Sequence, residues 1–212
     1  MKREIRILFA CGLVLLGCEI YKQLFLYFIF FDRQYDWWYF PFQLCSLPMY
    51  LCLILPFVHR NTVRRVICTF IQDFGILGGI AAILVPDGFR HLHWSLTLHG
   101  YAWHLILILA GLFICQTGLS DPGLKGWLRT LPLFAVCCLA ATAINVLAPD
   151  QADMFYISPF HDSVQPVVRQ LTPILGRLPA HLLYLATVCA GSGIIHGLAS
   201  IFHFYSKSPI RR

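Results

Sequence analysis

The sequence predicts an all-α polytopic membrane protein, and three observations carry this prediction. Hydrophobic residues make up 58% of the 212 residues and charged residues only 12%, which are too few charges to cover a soluble globule of this size. The apolar residues fall into six runs, each near the length of roughly 20 residues that a bilayer span needs. Lys and Arg residues gather between alternate runs, as in cytoplasmic loops. We therefore expect one bundle of about six transmembrane helices in a cell membrane, such as the bacterial inner membrane.

The six predicted spans cover residues 7–31, 40–58, 66–85, 96–115, 128–148 and 181–204. With the N-terminus inside, eleven Lys and Arg residues lie in inside segments and four in outside segments. Both termini are therefore predicted to be cytoplasmic. The last outside segment, 149–180, is broken up by prolines and leaves room for a short interfacial helix near 163–172.

Charge and cysteine usage exclude other classes of protein. The net charge of +6 comes from short clusters between apolar runs, so membrane topology explains it better than nucleic-acid binding does. Nine cysteines lie within or beside apolar runs and form no CxxC pair, which argues against structural zinc and redox chemistry. We expect no metal, no other cofactor and no nucleic-acid partner.

Polar residues inside the predicted spans are few, and each is a site candidate because an ionisable group in a span costs several kcal/mol unless it is paired or hydrated. Glu19, Lys22 and Gln23 share one face of the first span and could neutralise one another. Asp73 in the third span and Asn145 in the fifth are expected to form interhelical hydrogen bonds.

The second span contains Cys45 between two prolines. Pro41 is predicted to start the helix, which places Cys45 in the second turn near the positive end of the helix dipole, where a thiolate is favoured. Pro48 is expected to leave the Leu44 carbonyl without its usual partner. These features make Cys45 the candidate reactive thiol, with a packing cysteine as the alternative.

Histidines concentrate around the fourth span. His91 and His93 precede it, and His99 and His104 lie within it. The spacing argues against a shared metal, because residues five apart on a helix point about 140° away from each other. His196, in the last span, is either a buried hydrogen-bonded residue or a second site residue.

A cysteine and a histidine on adjacent helices are the minimum apparatus of covalent acyl transfer, in which a thiolate attacks and imidazole takes and returns the proton. Helical rise places His99 nearer the depth of Cys45 and His104 about one and a half turns deeper. Asp87, at the outer end of the third span, is a possible orienting acid.

Five segments carry a resemblance to a known family. They are residues 40–46 (FPFQLCS), 75–87 (GILGG running on to VPD), 104–109 (HLILIL), Asn145 and residues 153–156 (DMFY). In this order they resemble the YwaF-type integral membrane proteins of bacteria, whose eukaryotic relatives include a transmembrane acyltransferase acting on ether phospholipids. A more distant similarity is to membrane hydrolases that use a threonine and a histidine on fatty-acid esters.

The resemblance implies that Cys45 is the nucleophile and that His104, ranked above His99, is the base. The sequence departs from the family pattern at Gln43, a position where His is common. The Gln43 amide can orient a neighbouring group by hydrogen bonding but cannot relay a proton. The sequence departs again at Asp153, where Asn often opens the motif.

The function expected from these residues and the resemblance is acyl transfer on phospholipid or fatty-acyl substrates, with membrane lipids as the partners. The catalytic pair and its supporting residues would be Cys45, His104, Gln43, His99, Asp87 and Asn145. Transfer and hydrolysis both stay open. One alternative is a small non-enzymatic transporter or binding subunit with an intramembrane polar cavity, and another is a scaffold for a partner membrane protein. In the transporter alternative, the polar cavity would be lined by Glu19, Lys22, Asp73, Asn145 and His196.

Overall fold

The computed structural model describes residues 2–90, 93–149, 151–160 and 165–207. Every regular element in these ranges is helical. His91, and positions 163 and 164 of the predicted interfacial helix, lie outside them.

Five helices are long and apolar enough to cross a membrane, counting only the described residues. They are α1 (Arg3–Phe25, extended by a π turn over Leu26–Phe30), α3 (Asn61–Leu84), α4 (Trp94–Thr117), the joined pair α5 (Leu124–Leu128) and α6 (Leu131–Leu147), and α8 (Arg177–Lys207). The all-α polytopic fold is thereby confirmed. A shorter helix, α7 (Pro166–Leu175), occupies the last loop. The cytoplasmic placement of both termini stays a prediction.

Residues 40–58 differ from the predicted continuous span. The chain becomes helical at Leu44, as a 3-10 turn over Leu44–Ser46, and continues as α2 (Leu47–Ile54) and a final 3-10 turn over Leu55–Phe57. The fourteen helical residues, eight α-helical and six in 3-10 turns, rise about 24 Å, short of the roughly 30 Å hydrocarbon core. The non-helical residues 40–43 extend this element, which resembles the discontinuous helices that line membrane protein sites.

The proline assignments change accordingly. Pro41 lies outside the helix, and Pro48 occupies the first turn of α2, the position where a missing N–H leaves no gap in the helical ladder. The prediction that Pro48 opens the backbone beside Cys45 was therefore wrong, because the Leu44 carbonyl accepts a hydrogen bond from the Leu47 N–H in the 3-10 turn.

The irregular backbone before α2 finds hydrogen-bond partners inside the protein, as it must at membrane depth. The Tyr50 hydroxyl donates to the Pro41 carbonyl at 2.8 Å. The indole N–H of Trp103, on α4, donates to the Cys45 carbonyl at 3.1 Å. The break is thus held from within α2 and from a neighbouring helix.

Small residues set the spacing of the helices. A Cβ on Gly12 of α1 would lie 3.0 Å from Cys52 Cβ of α2. A Cβ on Gly79 of α3 would lie 2.9 Å from the His104 carbonyl oxygen of α4. A real Cβ would not fit at these distances. The two pairs of helices can therefore approach this closely only because glycine has no Cβ.

Stacked phenylalanine rings form the centre of the core. Phe70 stacks on Phe74 at a centroid separation of 4.4 Å, and Phe74 on Phe134 at 5.0 Å. Phe155, from the loop after α6, lies between Phe134 at 6.4 Å and Phe42 at 5.9 Å. The column joins α3 and α6 to the segment that precedes Cys45.

Candidate functional site

Cys45 lies in the 3-10 turn that precedes α2 and is partly buried. It packs against a small apolar cluster that includes Leu15 of α1, Met49 of α2 and Trp103 of α4. The thiol is therefore at the junction of three helices, close to the N-terminal end of α2, where the helix dipole favours negative charge.

His104 follows Trp103 on α4 and is buried. Its Nδ1 lies 2.7 Å from the Gly100 carbonyl oxygen, and its ring stacks on Phe89 at 4.9 Å. A carbonyl can only accept, so Nδ1 carries the proton and Nε2 keeps its lone pair in the neutral ring. This is the tautomer that a general base acting through Nε2 requires.

In the part of the chain that the structure describes, Cys45 and His104 are linked only through Trp103. Trp103, the residue before His104, is hydrogen-bonded to the Cys45 backbone, but no hydrogen bond between the thiol and the imidazole is found among the described residues. His99 lies on another side of α4, with its ring 5.6 Å from that of Trp103 and 6.5 Å from that of Tyr21.

Asp87 does not orient His104 in the structure. It is exposed, in the 3-10 turn Pro86–Gly88, and within the described ranges it makes no hydrogen bond to the imidazole. The Gly100 carbonyl takes the orienting position that was predicted for this acid.

Gln43 and Asn145 hold the same loop from opposite sides. Gln43 donates to the Asp153 carbonyl at 2.8 Å and accepts from the Phe155 N–H at 2.8 Å. Asn145 donates to the Met154 carbonyl at 3.1 Å and accepts from the Met154 N–H at 2.6 Å. Both amides act on backbone groups, so they shape the loop and are not aimed at a substrate.

This loop carries backbone strain. Phe155 and Tyr156 have φ values of 59° and 58°, a left-handed conformation that costs a non-glycine residue about 1–3 kcal/mol and persists only where the surroundings enforce it. Burial raises the pKa of the Tyr156 phenol, and the nearby Cys45 thiol and Asp153 carboxylate add to the rise. Tyr156 therefore stays a hydrogen-bond donor at neutral pH.

A buried ion pair on α1 lies alongside the cysteine. Lys22 Nζ is 2.9 Å from Glu19 Oε1, and their side chains are 17% and 6% exposed. Gln23 donates to the same Glu19 oxygen at 2.7 Å and to the Tyr39 carbonyl at 2.7 Å. The second bond ties this end of α1 to the segment that leads into Cys45.

A second buried polar network lies elsewhere in the bundle. His196 Nδ1 of α8 is 2.9 Å from Asp73 Oδ2 of α3, and His196 Nε2 is 3.1 Å from the Gly123 carbonyl. Gln72 donates to Asp73 at 2.9 Å and accepts from the Ser120 hydroxyl at 2.8 Å. The network joins α3 and α8 to the connection between α4 and α5, which explains His196 as a hydrogen-bonded residue.

The polar residues of the transporter alternative fall into three separate places: beside Cys45, under the loop at Met154, and between α3 and α8. A cavity of about 280 Å³ contains none of them. It is lined by Asn61, Thr62, Arg65, Val66, Asp121, Gly126 and Arg129. The described part of the chain brings no three His, Cys, Asp or Glu side chains together as metal ligands.

Residues 1–195 match the sequence model of the TMEM164 family. The chain belongs to the TMEM164 family. No curated protein and no solved structure matches it. The match includes Cys45, His104 and the loop clamped by Gln43 and Asn145, and it agrees with a multi-pass membrane protein. It assigns to this TMEM164-family protein neither the YwaF name nor a reaction.

Two features around Cys45 in this TMEM164-family chain were not predicted as parts of its site: the Glu19–Lys22 pair and Tyr156. The first had a signal in the sequence. Glu19 continues the series of Leu8, Gly12 and Leu15, spaced three or four residues apart on the buried face of α1, so it had to face a neighbouring helix. Tyr156 belongs to the segment 153–156 that carries the family resemblance, but nothing in that segment indicates that it lies near Cys45, because this depends on the bonds from Gln43 to the loop.

Proposed function

We propose that this TMEM164-family protein is a membrane-embedded acyl-transfer enzyme with Cys45 as the nucleophile and His104 as the general base and acid. The observation that supports the proposal is the helix break at Cys45, whose carbonyl accepts a hydrogen bond from Trp103, the residue before His104 on α4. The Gly100 carbonyl pairs with His104 Nδ1, which leaves Nε2 as the basic nitrogen of the neutral ring. The resemblance to membrane acyltransferases, carried by the motifs around both residues, supports the same assignment.

The reaction has two half-steps. His104 Nε2 takes the thiol proton, and the Cys45 sulfur attacks the carbonyl carbon of a lipid ester. The ester C–O bond breaks, a thioester forms, and the imidazolium returns its proton to the departing alkoxide. In the second half-step a hydroxyl of an acceptor lipid gives its proton to His104 and attacks the thioester carbonyl. The C–S bond breaks, a new ester forms, and the imidazolium returns its proton to the Cys45 thiolate. Water in place of that hydroxyl would give hydrolysis.

The proposal requires the sulfur and Nε2 to approach to about 3 Å when substrate is bound, since catalytic hydrogen bonds commonly tighten only in the substrate complex. Trp103 and the clamped loop would limit the movement of Cys45, so the approach falls to the His104 ring. Phe89, stacked on that ring, would have to shift with it.

The test is detection of the thioester. Purified protein is mixed with a phospholipid that carries a deuterated acyl chain, quenched in acid, digested and analysed by mass spectrometry. We expect the label on the Cys45 peptide and its release by neutral hydroxylamine. Cys45→Ala and His104→Gln should carry no label, whereas the matched variants Cys137→Ala and His59→Gln, both away from the site, should be labelled like the unsubstituted protein.

Two results would contradict the mechanism. Equal labelling in His104→Gln and His59→Gln would remove His104 as the base, and loss of label in His99→Gln alone would pass that role to His99. A chain that folds, as judged by circular dichroism, yet forms no thioester with ester-linked or ether-linked phospholipids would remove the enzymatic proposal and leave the fold and family.

A further inference from the structure

The Glu19–Lys22 pair lies at the end of α1 that Gln23 ties to the Tyr39 carbonyl, in the segment leading into Cys45. We propose that the Lys22 ammonium binds the phosphate of a glycerophospholipid whose acyl ester then lies at Cys45. This inference deepens the proposed function by naming the feature of the lipid that is recognised.

Helix register places the pair beside Cys45. α1 and α2 are antiparallel, because a Cβ on Gly12 would lie 3.0 Å from Cys52 Cβ and Leu15 and Met49 share one buried cluster. In an antiparallel pair, each step up one helix corresponds to a step down the other. The residue numbers of facing pairs therefore have a nearly constant sum. One turn further along, Glu19 comes opposite Cys45, and the Gln23 bond to the Tyr39 carbonyl fixes the same alignment from the other end.

Helical rise gives the level of Lys22 in the bilayer. Nineteen residues separate it from Arg3 on one continuous helix, a rise of about 28 Å, close to the roughly 30 Å hydrocarbon thickness. The helix continues past Lys22 to Phe30. The adjacent Gln23, however, bonds to the Tyr39 carbonyl in the aromatic segment before Cys45, and from this level a lysine extends its ammonium toward the headgroups. Glu19 and Cys45 lie about one turn deeper, on the side of the phosphate where the ester carbonyls of a glycerophospholipid are found.

The contacts of Lys22 leave it able to bind a further anion. An ammonium has three donors, Glu19 takes one, and the side chain keeps 17% of its surface accessible. Glu19, in contrast, is buried and accepts from both Lys22 and Gln23. Charged groups inside a membrane span are costly to desolvate and are retained chiefly at functional sites, and holding an ammonium near a thiol is one such function.

Binding can be measured apart from chemistry in the Cys45→Ala background. The probes are tritiated 1-palmitoyl-lysophosphatidic acid and 1-palmitoylglycerol, which share a chain and differ in the phosphate. We expect Lys22→Met to weaken binding of the phosphate-bearing lipid by about tenfold or more, the loss expected for one charge-assisted hydrogen bond. Binding of 1-palmitoylglycerol should not change.

Two further variants separate recognition from structure. Glu19→Gln breaks the same ion pair but leaves the ammonium, so it should retain or strengthen binding of the phosphate-bearing lipid, and Lys22→Arg should retain it. The double variant Glu19→Gln/Lys22→Met leaves no buried charge unpaired, so it should fold and still lose the preference for phosphate. Lys125→Met, an exposed lysine at the opposite end of the bundle, is the matched control.

Three outcomes would overturn the inference. Equal losses in Lys22→Met and Glu19→Gln would make the pair structural, and equal losses for both lipids would remove phosphate recognition. Inorganic phosphate that competes as well as the lysolipid would assign the site to free phosphate. These binding assays need no turnover, so they are independent of the thioester assay. A protein that shows the expected binding pattern but forms no thioester would refute the enzyme proposal alone. A protein that forms the thioester but lacks the binding pattern would refute only this inference.

Discussion

Substituting Gly79 by alanine should push α3 and α4 apart at the level of His104. The new Cβ would lie 2.9 Å from the His104 carbonyl oxygen and 2.6 Å from Ile108 Cγ1. The Ile108 side chain can rotate, but the carbonyl belongs to the backbone of α4. Because ordinary contact begins at 3.4 Å, the two backbones must separate by about 0.5 Å. Overpacking of this size costs about 1–3 kcal/mol.

The neighbouring glycine provides the control. A Cβ on Gly78 meets nothing within 4 Å, so Gly78→Ala should be neutral or stabilising by about 0.5–1 kcal/mol, the usual gain from removing a helical glycine. Gly79→Ala has the same propensity gain, so it cancels between the two variants. Their difference in free energy of unfolding is the clash alone, about 1–3 kcal/mol.

Thermal denaturation in detergent, followed by circular dichroism, measures this difference. For a chain of this length 1 kcal/mol shifts Tm by about 2–4 °C, so Gly79→Ala should melt roughly 2 to 12 °C below Gly78→Ala. In the thioester assay, displacement of His104 should also slow labelling of Gly79→Ala relative to Gly78→Ala. Equal melting temperatures would show that α3 and α4 do not approach as closely at this point as the backbone geometry requires.

The two buried polar clusters give further predictions. Asn145→Ala leaves the Met154 N–H buried without a partner and leaves the Met154 carbonyl only the 3.4 Å bond from the Ile157 N–H, so it should lower the free energy of unfolding by about 1–3 kcal/mol. Thr142→Ala, one turn away on the same helix and exposed, should change it little. Limited proteolysis should cut the 151–160 loop faster in the first variant only. His196→Ala leaves Asp73 as an uncompensated buried group and should cost about 3–5 kcal/mol. The double variant with Asp73→Leu should recover much of that loss in a thermal melt, and a double variant no more stable than His196→Ala would contradict the pairing.

Local sequence properties were enough to predict the helices. Whether residues 96–115 cross a bilayer depends on their own side chains, because lipid solvates each apolar run separately and backbone groups pair within the helix. The short helix in the last loop was predicted near 163–172 and lies at Pro166–Leu175. Only residues 40–58, read as a continuous helix from hydropathy, differ, since their apolar character does not reveal that Phe40–Gln43 bond to other parts of the chain.

The arrangement of the candidate site was decided by tertiary structure. Gln43 and Asn145 lie about one hundred residues apart in sequence yet hold neighbouring groups of one loop, and nothing local to either residue indicates the other. The same is true of the Gly100 carbonyl, which orients His104 in place of Asp87, and of Glu19 opposite Cys45.

The physical reason is helix register. The sequence alone determined which residues enter the membrane and that Cys45 and His104 belong to spans or to their edges. Which side chains meet depends on how far each helix slides and turns against its neighbours, and this is fixed by close approaches such as those at Gly12 and Gly79. Those contacts join residues far apart in the chain, so only the folded bundle specifies them.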